Sequence, residues 1–180
     1  MRIIGGKFKG KILETHNGFK DRPTTDMAKE ALFDILSNYY NFENITICDL
    51  FAGTGSISYE FASRGTKKIV CVDINKHYIN FIQNFSKTIF DGTITAICSD
   101  VFSFVKQNPL NYDVIFADPP FLLSNIDTLS DSIFANQTVP DDAIVIIEHS
   151  DKTSYKDHKY FRKERKYGKV HFSFFSKQEI

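Results

Sequence analysis

From Ile45 onward the chain alternates short apolar runs with amphipathic stretches, and few folds accept that alternation. The runs 45–51, 68–73, 93–98, 112–117 and 142–148 read as strands, and the stretches 56–64, 75–88, 101–107 and 126–134 between them carry helical spacing. Strand, helix, strand in repetition predicts an α/β architecture, a parallel sheet covered by helices on both faces. Right-handed crossovers restrict its topology and put a ligand at the carboxyl ends of the strands. The alternation stops near the end, where 159–166 and 169–175 flank Tyr167-Gly168 and predict an antiparallel hairpin. No internal repeat or low-complexity segment interrupts the pattern.

The stretch Ile45–Ser58 is the junction on which this plan turns. It begins as the apolar run of a strand buried on both faces, breaks at Gly53-Thr54-Gly55, and resumes at helical spacing with Ile57, Phe61 and Ala62. Glycines let a ligand press against the main chain, and the following helix N-terminus presents N–H groups, the outline of a nucleotide-like site. An ordinary tight turn between strand and helix has the same pattern.

At 180 residues, 42% hydrophobic and 24% charged, the chain reads as a single soluble globular unit. No apolar run approaches the roughly 20 residues of a membrane span. Met1-Arg2-Ile3-Ile4-Gly5-Gly6-Lys7 lacks the apolar core of a secretion signal, so a cytoplasmic location is expected, with no membrane partner. Cys48, Cys71 and Cys98 each fall in a strand and read as reduced core residues, without a disulfide or a metal site. The formal charge of zero conceals an asymmetry: seven Lys/Arg against four acids in residues 1–30, six against fourteen in 31–150, nine against four in 151–180. A polyanion is attracted to the two ends and repelled by the middle. Residues 2–13 read as a short β-hairpin or arm presenting Lys7, Lys9 and Lys11. Arg22-Pro23-Thr24-Thr25-Asp26 then leads into a helix with Met27, Ala31, Leu32, Ile35 and Leu36 on one face, capped by Thr24 or Thr25. Residues 1–44 are thus expected as an appendage to a main domain of residues 45–180.

Four features converge at the predicted carboxyl edge. Asp49 leads into the glycine turn. Asp73 ends the second strand 20 residues past Gly53, where an acid suits both hydroxyls of a ribose. Asp100 closes the third strand and is suited to an adenine amino group; Asp73 and Asp100 each also precede a helix that an Asp caps well. Asp118-Pro119-Pro120-Phe121 ends the fourth strand. Two prolines remove two backbone donors and restrict the residues before them, leaving a cluster of acceptors beside a phenyl ring. An exocyclic amine fits it: Asp118 and the Pro119 carbonyl accept its hydrogens while Phe121 stacks on the base. A rigid strand-ending turn with a core Phe is the plainer alternative.

Asp49-Leu50-Phe51-Ala52-Gly53-Thr54-Gly55, Asp73, Asp100 and Asp118-Pro119-Pro120-Phe121 resemble the motif series of class I S-adenosylmethionine-dependent amino-methyltransferases. Met1-Arg2-Ile3-Ile4-Gly5-Gly6, Arg22-Pro23-Thr24-Thr25-Asp26 and Tyr167-Gly168-Lys169 narrow the resemblance to the RsmD family, whose members methylate the 2-amino group of a guanosine in bacterial small-subunit ribosomal RNA. The resemblance spans nearly the whole chain. It implies a Rossmann-like fold with a mostly parallel seven-stranded sheet, S-adenosylmethionine as cofactor, and 16S ribosomal RNA or the small subunit or its assembly intermediate as partner of a monomer. It puts Asp49, Phe51, Gly53, Gly55, Asp73, Asp100 and Asp118 at the cofactor, with Gly53 and Gly55 facing its methionine part. It puts Asp118, Pro119 and Phe121 on the target base, and Arg22, Thr24 and Thr25 on the RNA side. Many relatives carry Glu where this chain has Asp73, one methylene shorter with the acceptor kept.

The implied reaction is in-line methyl transfer to a guanine N2 that is flipped or unpaired. Lys7, Lys9, Lys11, Arg22, Arg162, Lys163, Arg165, Lys166 and Lys169 are the candidate phosphate contacts. A nicotinamide-dependent dehydrogenase shares the glycine turn, but Ser58 stands where its fingerprint needs a third Gly or Ala, and Asp118-Pro119-Pro120-Phe121 then goes unexplained. A non-catalytic RNA-binding assembly factor keeping the fold is the other alternative.

Overall fold

The computed structural model describes residues 1–13, 25–120, 123 and 125–180. Helix α1 (Asp26–Ser37) precedes β1 (Thr46–Leu50), α2 (Ser56–Ser63), β2 (Lys68–Asp73), α3 (Lys76–Ile89), β3 (Ile94–Cys98), α4 (Val101–Gln107), β4 (Val114–Ala117), α5 (Leu129–Ala135) and β5 (Ile144–His149). Strands β6 (Phe161–Tyr167) and β7 (Val170–Phe175) end the series. All seven share one sheet in the order β3-β2-β1-β4-β5-β7-β6, with β7 antiparallel to both its neighbours. The expected elements are present to within two residues, except that 126–134 opens as a 3-10 turn (Ile126–Thr128) before α5.

Side chains alternate across the sheet with a period of two. Ile47, Val114, Phe116, Ile144 and Ile146 enter a cluster with residues of α1, α2 and α3. Cys48, Leu50, Ile115, Ala117, Val145 and Ile147 enter a second cluster with residues of α4 and α5. Covered on both faces, these strands read as unbroken apolar runs. The Asp113 carboxylate joins the starts of β1 and β4, accepting from the Thr46 N–H at 2.7 Å and its hydroxyl at 2.8 Å. Burial pushes the Cys48 and Cys71 thiols up, as befits core residues. Cys98 departs from expectation and is exposed, because β3 is the edge strand and Cys98 its last residue. Among the described residues no helix is long and apolar enough to cross a membrane.

The N-terminal segment pairs with itself through an antiparallel bridge between Arg2 and Ile12, and buries Ile3 and Leu13 in the same cluster as α1, α2 and α3. It runs alongside α2: Ile4 N–H donates to Glu60 Oε1 at 2.6 Å, and Lys7 N–H to the Ser63 carbonyl at 2.7 Å. Gly5 and Gly6 are dictated by this contact. A Cβ on Gly5 would lie 2.2 Å from Arg64 Nη2, and one on Gly6, at φ +71°, would lie 2.0 Å from the Ser63 carbonyl oxygen. The arm thereby satisfies a carbonyl that the end of α2 leaves unpaired.

Replacing Gly6 by Ala is expected to cost roughly 1–3 kcal/mol from the left-handed backbone alone, and more from the clash. Urea unfolding should show a lower midpoint at unchanged slope; an unchanged midpoint would contradict the close approach.

Candidate active site

The strand order changes direction at β1, whose neighbours are β2 and β4, the point where open α/β sheets form a ligand crevice beyond the carboxyl ends of their strands. Leu50 pairs with both Val72 and Ala117, and Asp73 with Cys98, so Asp118, Phe51, Asp73 and Ser99 leave neighbouring strands at about one level. Three strand spacings cover about 15 Å, the span of an extended nucleoside carrying a side chain.

The connection from β1 to α2 is bent sharply. Phe51 has φ +58°, left-handed backbone that a non-glycine residue seldom adopts. Gly53, at φ +52°, donates its N–H to Asp73 Oδ2 at 2.8 Å, and among the described residues nothing lies within 4 Å of where its Cβ would be. Gly55 has a different reason: a Cβ there would come within 2.9 Å of Ile82 Cγ1 and 3.1 Å of the Tyr59 ring. Asp49 lies beneath the turn at 2% exposure, with Oδ2 accepting from the Ser58 N–H at 3.1 Å and the Ser58 hydroxyl at 2.6 Å. Burial pushes its carboxyl up to about 7; the Ser58 bonds oppose the shift and the neighbouring Asp73 charge adds to it. Asp49 therefore ties α2 to β1 from inside, while Ser58 fills the position a dinucleotide fingerprint reserves for Gly or Ala.

Two of the edge acids, Asp73 and Asp100, are held by backbone donors. Asp73 accepts from Gly53 N–H through Oδ2 and from Asn75 N–H through Oδ1 at 2.7 Å, and the cap of α3 is Asn75, not Asp73. Each oxygen keeps a lone pair for a further donor. Asp100 caps α4, accepting from Ser103 N–H at 2.8 Å, and its side chain is exposed. Asp118 is half-buried and its N–H donates to the Leu50 carbonyl at 3.3 Å, extending the β1–β4 pairing by one step. Pro119 is buried, Pro120 exposed, and Leu123 N–H returns to the Pro120 carbonyl at 2.9 Å. Phe121, Arg22 and Thr24 lie outside the described residues. Ile74 went unnoticed in the sequence: it directly follows Asp73 and is 72% exposed, an apolar face at the crevice. An exposed aliphatic residue after a strand-ending acid is the signal that would have found it.

Thr25 caps α1, accepting from Ala28 N–H at 3.3 Å. Lys7, Lys9 and Lys11 are exposed, but Lys7 lies beside Ser63, at the end of α2 away from the crevice. Helix α2 has eight residues, so that separation is about 12 Å. The turn between β6 and β7 lies on the crevice side, because His171 pairs with His149 at the carboxyl end of β5; Arg165, Lys166 and Lys169 are exposed around it. Arg162 and Lys163, expected to meet phosphate, are engaged within the chain. The Arg162 guanidinium donates to the carbonyls of Gln178 and Lys177, and Lys163 Nζ donates to the Tyr39 hydroxyl at 2.5 Å. A separate recess of about 500 Å³, lined by Phe134, Tyr155, His158 and Tyr160 with Asp127 and Asp131, shares none of the edge acids.

The family described as Conserved hypothetical protein 95 matches residues 1–176. The chain belongs to this family, the RsmD-type class I methyltransferases. It is 26% identical over 179 residues to a ribosomal RNA small subunit methyltransferase D of Buchnera aphidicola, covering 97% of this chain and 91% of that one. It is 31% identical over 152 residues to the Haemophilus influenzae protein of the same name, covering 82% and 78%. A Thermus thermophilus 16S rRNA N2 methyltransferase solved with AdoMet and guanosine superposes with a TM-score of 0.71 at 18% identity, over 89% of this chain and 46% of that one. Membership makes the chain a methyltransferase with S-adenosylmethionine as donor, and the residues fit that group: space in front of Gly53, a fixed acceptor at Asp73 and an apolar face at Ile74.

The raised carboxyl of Asp49 has a consequence for this family member's stability. The folded state holds that proton up to about pH 7, whereas the unfolded chain releases it near pH 4, so Asp49 lowers stability as pH rises between the two. Asp49→Asn should therefore gain on wild type from pH 5 to pH 8, by at most about 1.4 kcal/mol per pH unit. A difference in unfolding free energy that stays flat over this range would refute the assignment.

Proposed function

We propose that the chain methylates the exocyclic N2 amine of a guanosine in 16S ribosomal RNA. The observation that carries this reading is the register that brings Asp118-Pro119-Pro120 level with the glycine turn at the point where the strand order reverses. The Thermus protein that shares the fold was solved with AdoMet and guanosine, which supports the pairing of a donor with a guanine.

S-adenosylmethionine supplies a methyl group on a positively charged sulfur, already a strong electrophile, so the chain's own task is proximity and alignment. Asp73 would accept from the ribose hydroxyls, Ile74 would lie against the adenine, Asp100 would accept from its amino group, and Gly53 would leave room for the methionine part. Phe51 borders the donor, while Asp49 and Gly55 act from below by holding the turn. Asp118 and the Pro119 carbonyl accept the hydrogens of the guanine amine, turning them out of the ring plane and localising the nitrogen lone pair. Asp118 then stabilises the positive charge that nitrogen acquires, and the surplus proton leaves the nitrogen for Asp118 or for water, with Phe121 stacked on the base. A stacked, paired guanosine cannot enter, so the target is flipped or unpaired.

Residues 1–44, packed into the core of the sheet through Ile3, Leu13 and α1, supply Arg22, Thr24 and Thr25 to the RNA side of a cytoplasmic monomer acting on the small subunit or an assembly intermediate. Arg165, Lys166 and Lys169 meet phosphate beside the crevice, and Lys7, Lys9 and Lys11 extend the track along α2. A non-catalytic assembly factor would bind the same RNA without methylating it, and a labelled-methyl assay separates the two.

Asp118→Ala should reduce methyl transfer to unmodified 16S rRNA or small subunits by roughly 10²-fold or more, with the calorimetric affinity for S-adenosylmethionine nearly unchanged. Lost donor affinity with retained transfer would reverse the assignment. RNA affinity should fall steeply with salt, and replacing Lys166 and Lys169 together by Ala should reduce the log–log slope by about 1.4–1.8. A flat salt response would return these lysines to the solvated surface.

A further inference from the structure

Methyl transfer makes no use of a cluster on the C-terminal half of the sheet. His149 ends β5, His171 lies on β7 and Glu164 on β6, three strands in a row. The pairings His149 with His171 and Glu164 with Ser173 put all three side chains, with Ser173, on one face. His149 is 0% and His171 5% exposed. We propose that His149, His171 and Glu164 bind a first-row divalent cation, Zn²⁺ foremost, which fastens the β6–β7 hairpin to the parallel sheet.

One ligand atom from each residue lies within 4.8 Å of those of the other two. A tetrahedral ion with bonds of about 2.0–2.1 Å holds its ligands about 3.3 Å apart, so modest side-chain rotations close the site. His171 Nδ1 and Glu164 Oε1 already stand 2.9 Å apart. His149 Nδ1 lies 2.8 Å from the Ser150 carbonyl, which makes Nδ1 the donor and leaves the lone pair on Nε2, where the Ser173 hydroxyl donates at 2.8 Å. That outer bond orients the ring as metal-bound imidazoles are oriented. A cation takes the place of the Ser173 proton at Nε2, and the hydroxyl turns aside. Two imidazoles and one carboxylate, without a thiolate, favour zinc over the harder magnesium and calcium. The charge working against the ion is Lys166, whose Nζ lies 3.7 Å from Glu164 Oε2; its side chain is 60% exposed and has solvent to move into.

The test uses tag-free full-length protein carrying Cys98→Ser, which removes the exposed thiol as a competing ligand. Calorimetric titration with ZnCl₂ should give one equivalent at micromolar Kd or tighter, with a raised Tm that EDTA reverses. Co²⁺ should give tetrahedral bands in the visible without thiolate charge transfer. Glu164→Gln and His171→Gln should each weaken Zn²⁺ binding by roughly tenfold or more, with folding checked by circular dichroism at zero metal. Absence of saturable binding below about 100 µM overturns the proposal, as does binding that both variants leave unchanged. Either result is independent of methyl transfer.

Discussion

A carboxylate with no access to solvent, that of Glu60, holds three parts of the molecule together. It accepts the Ile4 N–H, lies 3.3 Å from Lys29 Nζ and pairs with Arg64. Lys29, itself 1% exposed, continues to the Arg2 carbonyl at 2.8 Å and the Ser56 hydroxyl at 3.2 Å. Charges buried this deeply are tolerable only when every member is paired, since removing one strands the others without solvent. Arm, α1 and α2 are consequently placed as a set. Ser56 begins α2 directly after Gly55, so the network also fixes the helix that bounds the crevice, and Asp49 fixes it again from β1 through Ser58.

A frame of this stiffness suits a reaction whose reagent brings its own reactivity. What remains for the chain is the placement of acceptors, and the Asp73 and Asp100 carboxylates are tied into the backbone while Asp118 is placed by its main chain. Asp73 is clasped by two N–H groups, Asp100 caps a helix, and Asp118 follows directly on a strand pairing. Side chains anchored in this way lose little further freedom when a ligand arrives. The left-handed Phe51 marks where the frame is bent to make room.

The sheet was legible because parallel strands covered on both faces leave continuous apolar runs, and the edge acids because they end those runs. Features depending on distant partners were not. Gly5-Gly6 reads only as part of a short hairpin or arm, and its requirement lies in Ser63 and Arg64, far along the chain. Lys29 and Glu60 sit at spacings that any solvated helix shows, and only tertiary packing reveals that both are buried. Strand order is likewise non-local, so Cys98 could be assigned to a strand but not to its edge. Asp100 reads in the sequence as a ligand contact, with capping as the alternative; it caps α4, and the bond to Ser103 leaves its outer oxygen for a second partner.

The crevice has a built-in polarity. Its floor carries Asp73, Asp100 and Asp118, whereas Arg165, Lys166 and Lys169 stand on the turn alongside. An anionic group is repelled by the three carboxylates and attracted to the turn. The carboxyl edge of the sheet is thus charge-separated, anionic at the ends of β2, β3 and β4 and cationic at the hairpin turn.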